Sequence, residues 1–199
     1  MRQHIQFGLA VFILSVTVSG TASAEVTEIF ASSASIIRTS DLTPKTPQLV
    51  TSPATGAPGI AIDGAGGKLY WSTGSGGSIR RADLDGLNAE DVATGLTTPT
   101  PIALDAAAQM IYWIDTGSGM IQRKAADGSG MVDDLLAGPT VPCRIAVDPI
   151  GGKFYWTDSS IPAIRRANLD GTGADSIVTS GLVIPLSITL DPGDNKISW

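Results

Sequence analysis

Histidine is almost missing from this chain, and the one residue, His4, stands in its first few positions. Cysteine is as scarce, with Cys143 alone. A single cysteine excludes an intramolecular disulfide, so stability must come from packing. Without a second histidine, Ser-His-Asp and Cys-His pairs and imidazole metal sites have no material to form from once residue 4 is discounted. Cys143 lacks a base to activate it and reads as a small buried residue. Glutamate is restricted to Glu25, Glu28 and Glu90. A long apolar run is missing too. The stretch MRQHIQFGLAVFILSVTVSGTASA has Arg2, an apolar run from Phe7 to Val18, and Ala22-Ser23-Ala24. That is the three-part pattern of a secretory leader, predicted to be cut after Ala24. The run is short for a bilayer-spanning helix, which needs about 20 residues; an uncleaved anchor is the alternative. The leader carries one cation, Arg2, and no acid, so its loss moves the formal charge from −6 to −7. An acidic surface offers no general attraction for nucleic acid or anionic lipid. The expected product is periplasmic or extracellular, with no membrane insertion after cleavage.

What is present is periodic. The three Tyr and four Trp all fall on one grid: Tyr70-Trp71, Tyr112-Trp113, Tyr155-Trp156, then Ser198-Trp199, at spacings of 42, 43 and 43. Asp63, Asp105, Asp148 and Asp191 each stand seven residues before the Tyr position, and Ile79, Ile121 and Ile164 nine after it. Basic pairs follow at 80–81, 123–124 and 165–166, then Asp85-Gly86, Asp127-Gly128 and Asp170-Gly171.

Each period reads as four short strands. GIAID, PIALD, RIAVD and SITLD are apolar runs ending in Asp, fit for buried inner strands. KLYWST, MIYWID and KFYWTD have the aromatic and β-branched composition of a second strand. SIRRADL, MIQRKAA and AIRRANL form a third, closed by Asp-Gly, and AEDVATG, VDDLLAG and DSIVTSG a more polar fourth. Gly and Pro in DGAGG and DPIGG supply the bends. No segment keeps a helical apolar period. Four strands per period of about 42 residues predict an all-β chain of β-propeller blades, whose faces are covered only by neighbouring blades. Adjacent strand residues point to opposite faces, so Tyr and Trp of each pair serve opposite faces as packing residues first, a ligand platform being the minority reading.

KFYWTD, with its flanking AVD and IRRANLDG, resembles the YWTD repeat of the low-density lipoprotein receptor family of propellers, from about Pro58 to Trp199. The resemblance implies a six-bladed ring when complete, a structural role for the motif, and loop faces that bind protein or other ligands. Only Tyr155-Trp156-Thr157-Asp158 is a full match; Thr73 replaces the last Asp in the first unit, and Ile114 precedes Asp115 in the second. Upstream, EIFAS, SIIRTSDL and PQLVTS resemble the last three strands of a further blade. The expected organisation is a leader at 1–24, an irregular partial blade with a Pro/Thr-rich loop at 25–57, and regular blades at 58–199. About four blades are covered and ISW falls within a second strand, so a C-terminally truncated chain is expected; a closed four-bladed ring is the alternative.

The chemistry is weighed residue by residue. Basic pairs recurring once per blade point to architecture rather than a unique site, with one member pairing with a grid acid such as Asp148 or Asp158. LDGTGADSIV lacks the alternate acids and terminal Glu of a calcium loop and reads as a hairpin turn. The Asp residues are periodic, so no catalytic set, metal site or cofactor is predicted. The motif residues expected to be structural are Tyr70, Trp71, Tyr112, Trp113, Asp115, Tyr155, Trp156, Thr157, Asp158, Asp63, Asp105, Asp148, Asp191, Arg81, Arg123 and Arg166. The expected function is an exported scaffold presenting a loop face to a protein, peptide or glycan. The alternatives are a propeller enzyme of metal-assisted lyase or lactonase type, with a site partly outside these residues, and a purely structural envelope component.

Overall fold

The second strands are apolar and buried on both faces, and in the three regular blades the turn that leads into each begins at an Asp. The computed structural model describes residues 12–17, 26–31, 36–40, 48–51, 59–139, 141–183, 185–191 and 196–199, with side chains from residue 59 onward. The strands form successive antiparallel meanders. The first blade is β1 (Phe12–Thr17), β2 (Val26–Ala31), β3 (Ile36–Ser40) and β4 (Gln48–Thr51). The second is β5 (Ile60–Asp63), β6 (Lys68–Ser72), β7 (Ile79–Asp83) and β8 (Glu90–Ala93). The third is β9 (Pro99–Asp105), β10 (Met110–Asp115), β11 (Met120–Ala125) and β12 (Asp133–Ala137). The fourth is β13 (Pro142–Asp148), β14 (Lys153–Asp158), β15 (Ala163–Asn168) and β16 (Asp175–Val178). A pair, β17 (Thr189–Asp191) and β18 (Lys196–Ser198), follows.

β1 is drawn from the apolar run read above as part of the leader. Cleavage after Ala24 would therefore leave β2–β4 as a three-stranded first blade. The Pro/Thr-rich loop, residues 41–47 and 52–58, lies outside the described residues.

The core is a stack of inter-blade layers. Tyr70 and Ile79 of the second blade pack with Ile102, Ile111, Trp113 and Ala126 of the third. Tyr112, Ile114 and Ile121 of the third pack with Phe154, Trp156 and Ala167 of the fourth. Tyr155 and Ile164 pack with Ile188, backed by Leu190 and Ile197. Tyr70, Tyr112 and Tyr155 thus face the following unit and Trp113 and Trp156 the preceding blade, as alternation on a strand requires, while Trp71 is buried with Leu69 and Ala82 of its own blade. Neighbouring first strands run so close that a Cβ on Gly59 would lie 2.4 Å from the Thr100 carbonyl oxygen. Gly171, at φ 86°, abuts the Leu135 carbonyl of the third blade, so its Asp-Gly turn has both a backbone and a space requirement for glycine.

Candidate functional site

Three of the four grid carboxylates hold backbone N–H groups. Asp63 Oδ1 accepts from Gly66 N (2.7 Å), Asp105 Oδ1 from Ala107 and Ala108 N (3.0 and 2.9 Å), and Asp148 Oδ1 from Gly151 N (2.9 Å). Each acid closes the turn between the first and second strands, the short-range bond that Asp makes readily. Asp191 ends β17 at the equivalent place. At the other end of the second strand, buried Asp115 accepts from Thr97 N and Thr98 N (2.8 Å each) and from Gly117 N (3.0 Å). It ties the loop entering β9 to the hairpin leaving β10. Asp158 accepts from Ser160 N (2.9 Å) and Ser160 Oγ (2.6 Å). Thr73 substitutes in the second blade, its hydroxyl accepting from Ser78 N at 3.0 Å. Thr157 Oγ1 accepts from Arg144 N at 3.1 Å.

The basic residues divide by strand face. Arg80 stacks over Trp71 at 5.7 Å and Arg165 over Trp156 at 5.3 Å. In the third blade the residue across from Trp113 is Gln122, whose Oε1 accepts the indole N–H at 2.9 Å. The pair read from the sequence as Arg123-Lys124 is therefore one position out of register: the equivalent of Arg80-Arg81 is Gln122-Arg123. Ion pairs run to the fourth strand, Arg80 to Asp91 (2.9 Å), Arg81 to Glu90 (2.7 Å) and Arg123 to Asp133 (3.2 Å), whereas Asp148 and Asp158 close turns. Arg166 lies 3.6 Å from Asp175.

Arg81 and Arg123 also bond across blades. Arg81 Nη1 donates to the Ala126 carbonyl (3.0 Å) and Arg123 Nη1 to the Leu169 carbonyl (2.8 Å), each in the third-strand turn of the following blade. No sequence pattern signals this, because the acceptor is main chain and any residue supplies it. Burial raises the pKa of the Tyr70 and Tyr112 hydroxyls, and the charges of Arg81 and Arg123 pull the other way. Arg123→Gln is expected to cost about 1 kcal/mol, read as a lower urea midpoint at unchanged slope; a wild-type midpoint would remove the cross-blade bond from the list of stabilising contacts.

A cavity of about 400 Å³ lies between the fourth blade and β17–β18, lined in part by Asp148, Tyr155, Arg166, Asp191, Lys196 and Ile197. Its Tyr and Arg are repeat equivalents of Tyr70/Arg81 and Tyr112/Arg123, which meet Ala126 and Leu169 at the two preceding junctions. Its chemistry is that of a blade junction. Among the described residues no three His, Cys, Asp or Glu are grouped to hold a metal ion, and no helix is long and apolar enough to cross a membrane.

The blade loops gather at two ends. At one, Leu84 N donates to Gly67 O (3.1 Å), Ala126 N to Gln109 O (2.8 Å) and Leu169 N to Gly152 O (3.2 Å). This end holds the Asp-Gly turns, where Asp127 and Asp170 have lowered pKa values through bonds from Ser129 and Thr172. At the other, Leu96 N donates to Gly77 O (3.0 Å), Thr116 N to Thr98 O (3.0 Å) and Ser159 N to Val141 O (3.1 Å). The loops of this second end, 73–78, 94–98, 116–119, 138–141, 159–162 and 179–188, contain no Asp, Glu, Lys, Arg or His. Sequence reasoning missed this asymmetry, although sorting the charges by loop class would have shown it.

Residues 152–192 match the family model for the low-density lipoprotein receptor repeat class B. A chain in the crystal structure of a nidogen/laminin complex superposes with a TM-score of 0.75 at 29% identity, over 85% of this chain and 67% of that one. The chain is a propeller of four-stranded blades, one stretch of which matches the class B repeat. Two further structures share the fold alone. A protein assigned as TolB from Agrobacterium tumefaciens has a TM-score of 0.59 at 17% identity, covering 75% of this chain and 60% of its own. Hydrazine synthase from Kuenenia stuttgartiensis also reaches 0.59, at 19% identity, covering 70% of this chain and 40% of its own. No curated protein sequence matches this chain. Tyr70, Tyr112-Trp113 and Tyr155-Trp156 lie in layers between neighbouring units, Trp71 is buried within its own blade, and Asp63, Asp105 and Asp148 close turns.

Proposed function

We propose that this propeller is an exported scaffold that binds a protein partner through one of its two loop faces, with the motif residues serving structure only. The observation that carries this reading is that the fold itself uses the motif residues: the paired aromatics are buried, five of the six against a neighbouring unit, and Asp63, Asp105, Asp115, Asp148 and Asp158 each hold backbone N–H groups. The loops are then the surface left to differ from blade to blade, which is where scaffold folds carry recognition. A protein suits these loops better than a glycan. Sugar recognition leans on exposed aromatic rings, and among the described residues Trp199 alone of the large exposed apolar side chains is aromatic. The nidogen/laminin relative supports a protein partner by likeness.

The test is capture from the exported fraction of the native cells with immobilised full-length protein, followed by chemical cross-linking and mapping of the linked peptides. Links are expected to cluster in the loops of one end. Links spread over the outer strands, or none above a bait-free control, would sink the reading. An enzyme would instead show turnover of a lactone or uronate panel, which the scaffold reading expects to be nil.

A further inference from the structure

The two ends of the propeller differ in charge, and that difference selects a partner. The six loops of the second end carry Ser, Thr, Gly, Pro and aliphatic residues only. Val141, Ile161, Val183 and Leu186 project from them with side chains between 49% and 83% exposed. Of the charged residues nearest in sequence, Asp115 and Asp158 are buried and bonded to backbone N–H groups, Arg144 is half-buried on β13, and half-buried Arg80 is paired with exposed Asp91. The opposite end carries the exposed turn acids Asp85, Asp127 and Asp170 beside exposed Leu87, Met131 and Ile150; Asp63 and Asp105, which close its first strands, are buried, and Glu90, Asp91, Asp133 and Asp175 on its fourth strands pair with third-strand Arg.

Within a chain of net charge −6, two copies repel where their exposed turn acids approach. The uncharged face alone can meet its own copy without opposing like charges, and its exposed aliphatic residues gain by leaving water. A two-fold arrangement presents the same patch from both sides and closes on itself. We propose that the uncharged loop face, centred on Val141 and Ile161, is the contact between two copies of this chain, stacked with their acidic ends outward. This rests on the reading that a loop face is the binding surface, and names the occupant of that face.

Sedimentation equilibrium of the full-length protein tests it, over roughly 1–100 µM and from about 0.05 to 0.5 M NaCl. The expected result is a monomer–dimer equilibrium that holds or tightens as salt rises, because screening removes repulsion and leaves the apolar contact. Val141→Asp/Ile161→Asp should weaken it roughly tenfold or more by placing facing carboxylates in the contact. Met131→Asp, at the acidic end, should leave it unchanged; the substituted side chains are exposed, and unchanged thermal unfolding would verify folding. A wild-type protein monomeric throughout overturns the proposal, as does a dimer that salt dissolves or that only Met131→Asp disrupts. Capture of a different protein by a monomeric wild type, lost in the double variant, would overturn the second copy as occupant while preserving the loop-face reading. Capture lost in neither variant would overturn both.

Discussion

Replacing Trp113 with alanine is expected to remove about 3–5 kcal/mol of stability, a large share of the 5–15 kcal/mol typical of a folded domain. The indole is fully buried between the second and third blades, against Tyr70, Ile79, Ile102 and Ile111. Truncation opens a cavity that two sheets border, and neither sheet can close it without leaving its other neighbour. The loss also strands Gln122, whose Oε1 holds the indole N–H and whose Nε2 reaches Asp134 at 2.6 Å. Trp113→Phe keeps much of the packing and loses the hydrogen bond, for an expected cost of about 1–2 kcal/mol. Urea unfolding followed by far-UV circular dichroism ranks the three proteins. An alanine variant with the wild-type midpoint would mean that this layer is not load-sharing between blades.

Asp115→Ala is the second large effect, at about 3 kcal/mol. One carboxylate there serves two segments: Thr97 N and Thr98 N from the loop entering β9, Gly117 N from the hairpin leaving β10. Removal leaves those donors without their acceptor and unties the loop from the hairpin. Asp115→Asn should recover less than half, since its NH₂ points a donor at groups that are themselves donors. Amide exchange separates this account from simple cavity formation. Protection at Thr97 and Thr98 should collapse while Tyr112 and Trp113 keep theirs; equal loss at all four positions would count against it.

Repetition made the fold legible. Tyr70-Trp71, Tyr112-Trp113 and Tyr155-Trp156 mark the second strands because bulky aromatic pairs are rare and their spacing admits one architecture. The first-strand Asp residues were equally plain, each preceding a Gly- or Ala-rich turn. Gln122 was not. A basic residue one place later, Lys124, imitates the expected pair, and only strand register shows that Gln122 is the one across from Trp113. The ion pairs were misplaced for a related reason. Proximity along the chain favours Asp148 and Asp158 as partners, but β8, β12 and β16 each open with an acid set beside the third-strand Arg. The cross-blade bonds to Ala126 and Leu169 carbonyls carry no residue signature at all. The uncharged face was present in the sequence as six separate short loops, and the meander topology is what gathers them.

The cross-blade arginine bonds have a direction. Arg81 reaches from the second blade to the third and Arg123 from the third to the fourth. Each bond ties a blade to its immediate neighbour, so coupling carried by such bonds falls off with every step along the array. A lesion at one junction should soften two blades and leave a third at its native rigidity. For evolution this amounts to insulation: loops on one blade can change to fit a new surface while the damage, if any, stays local.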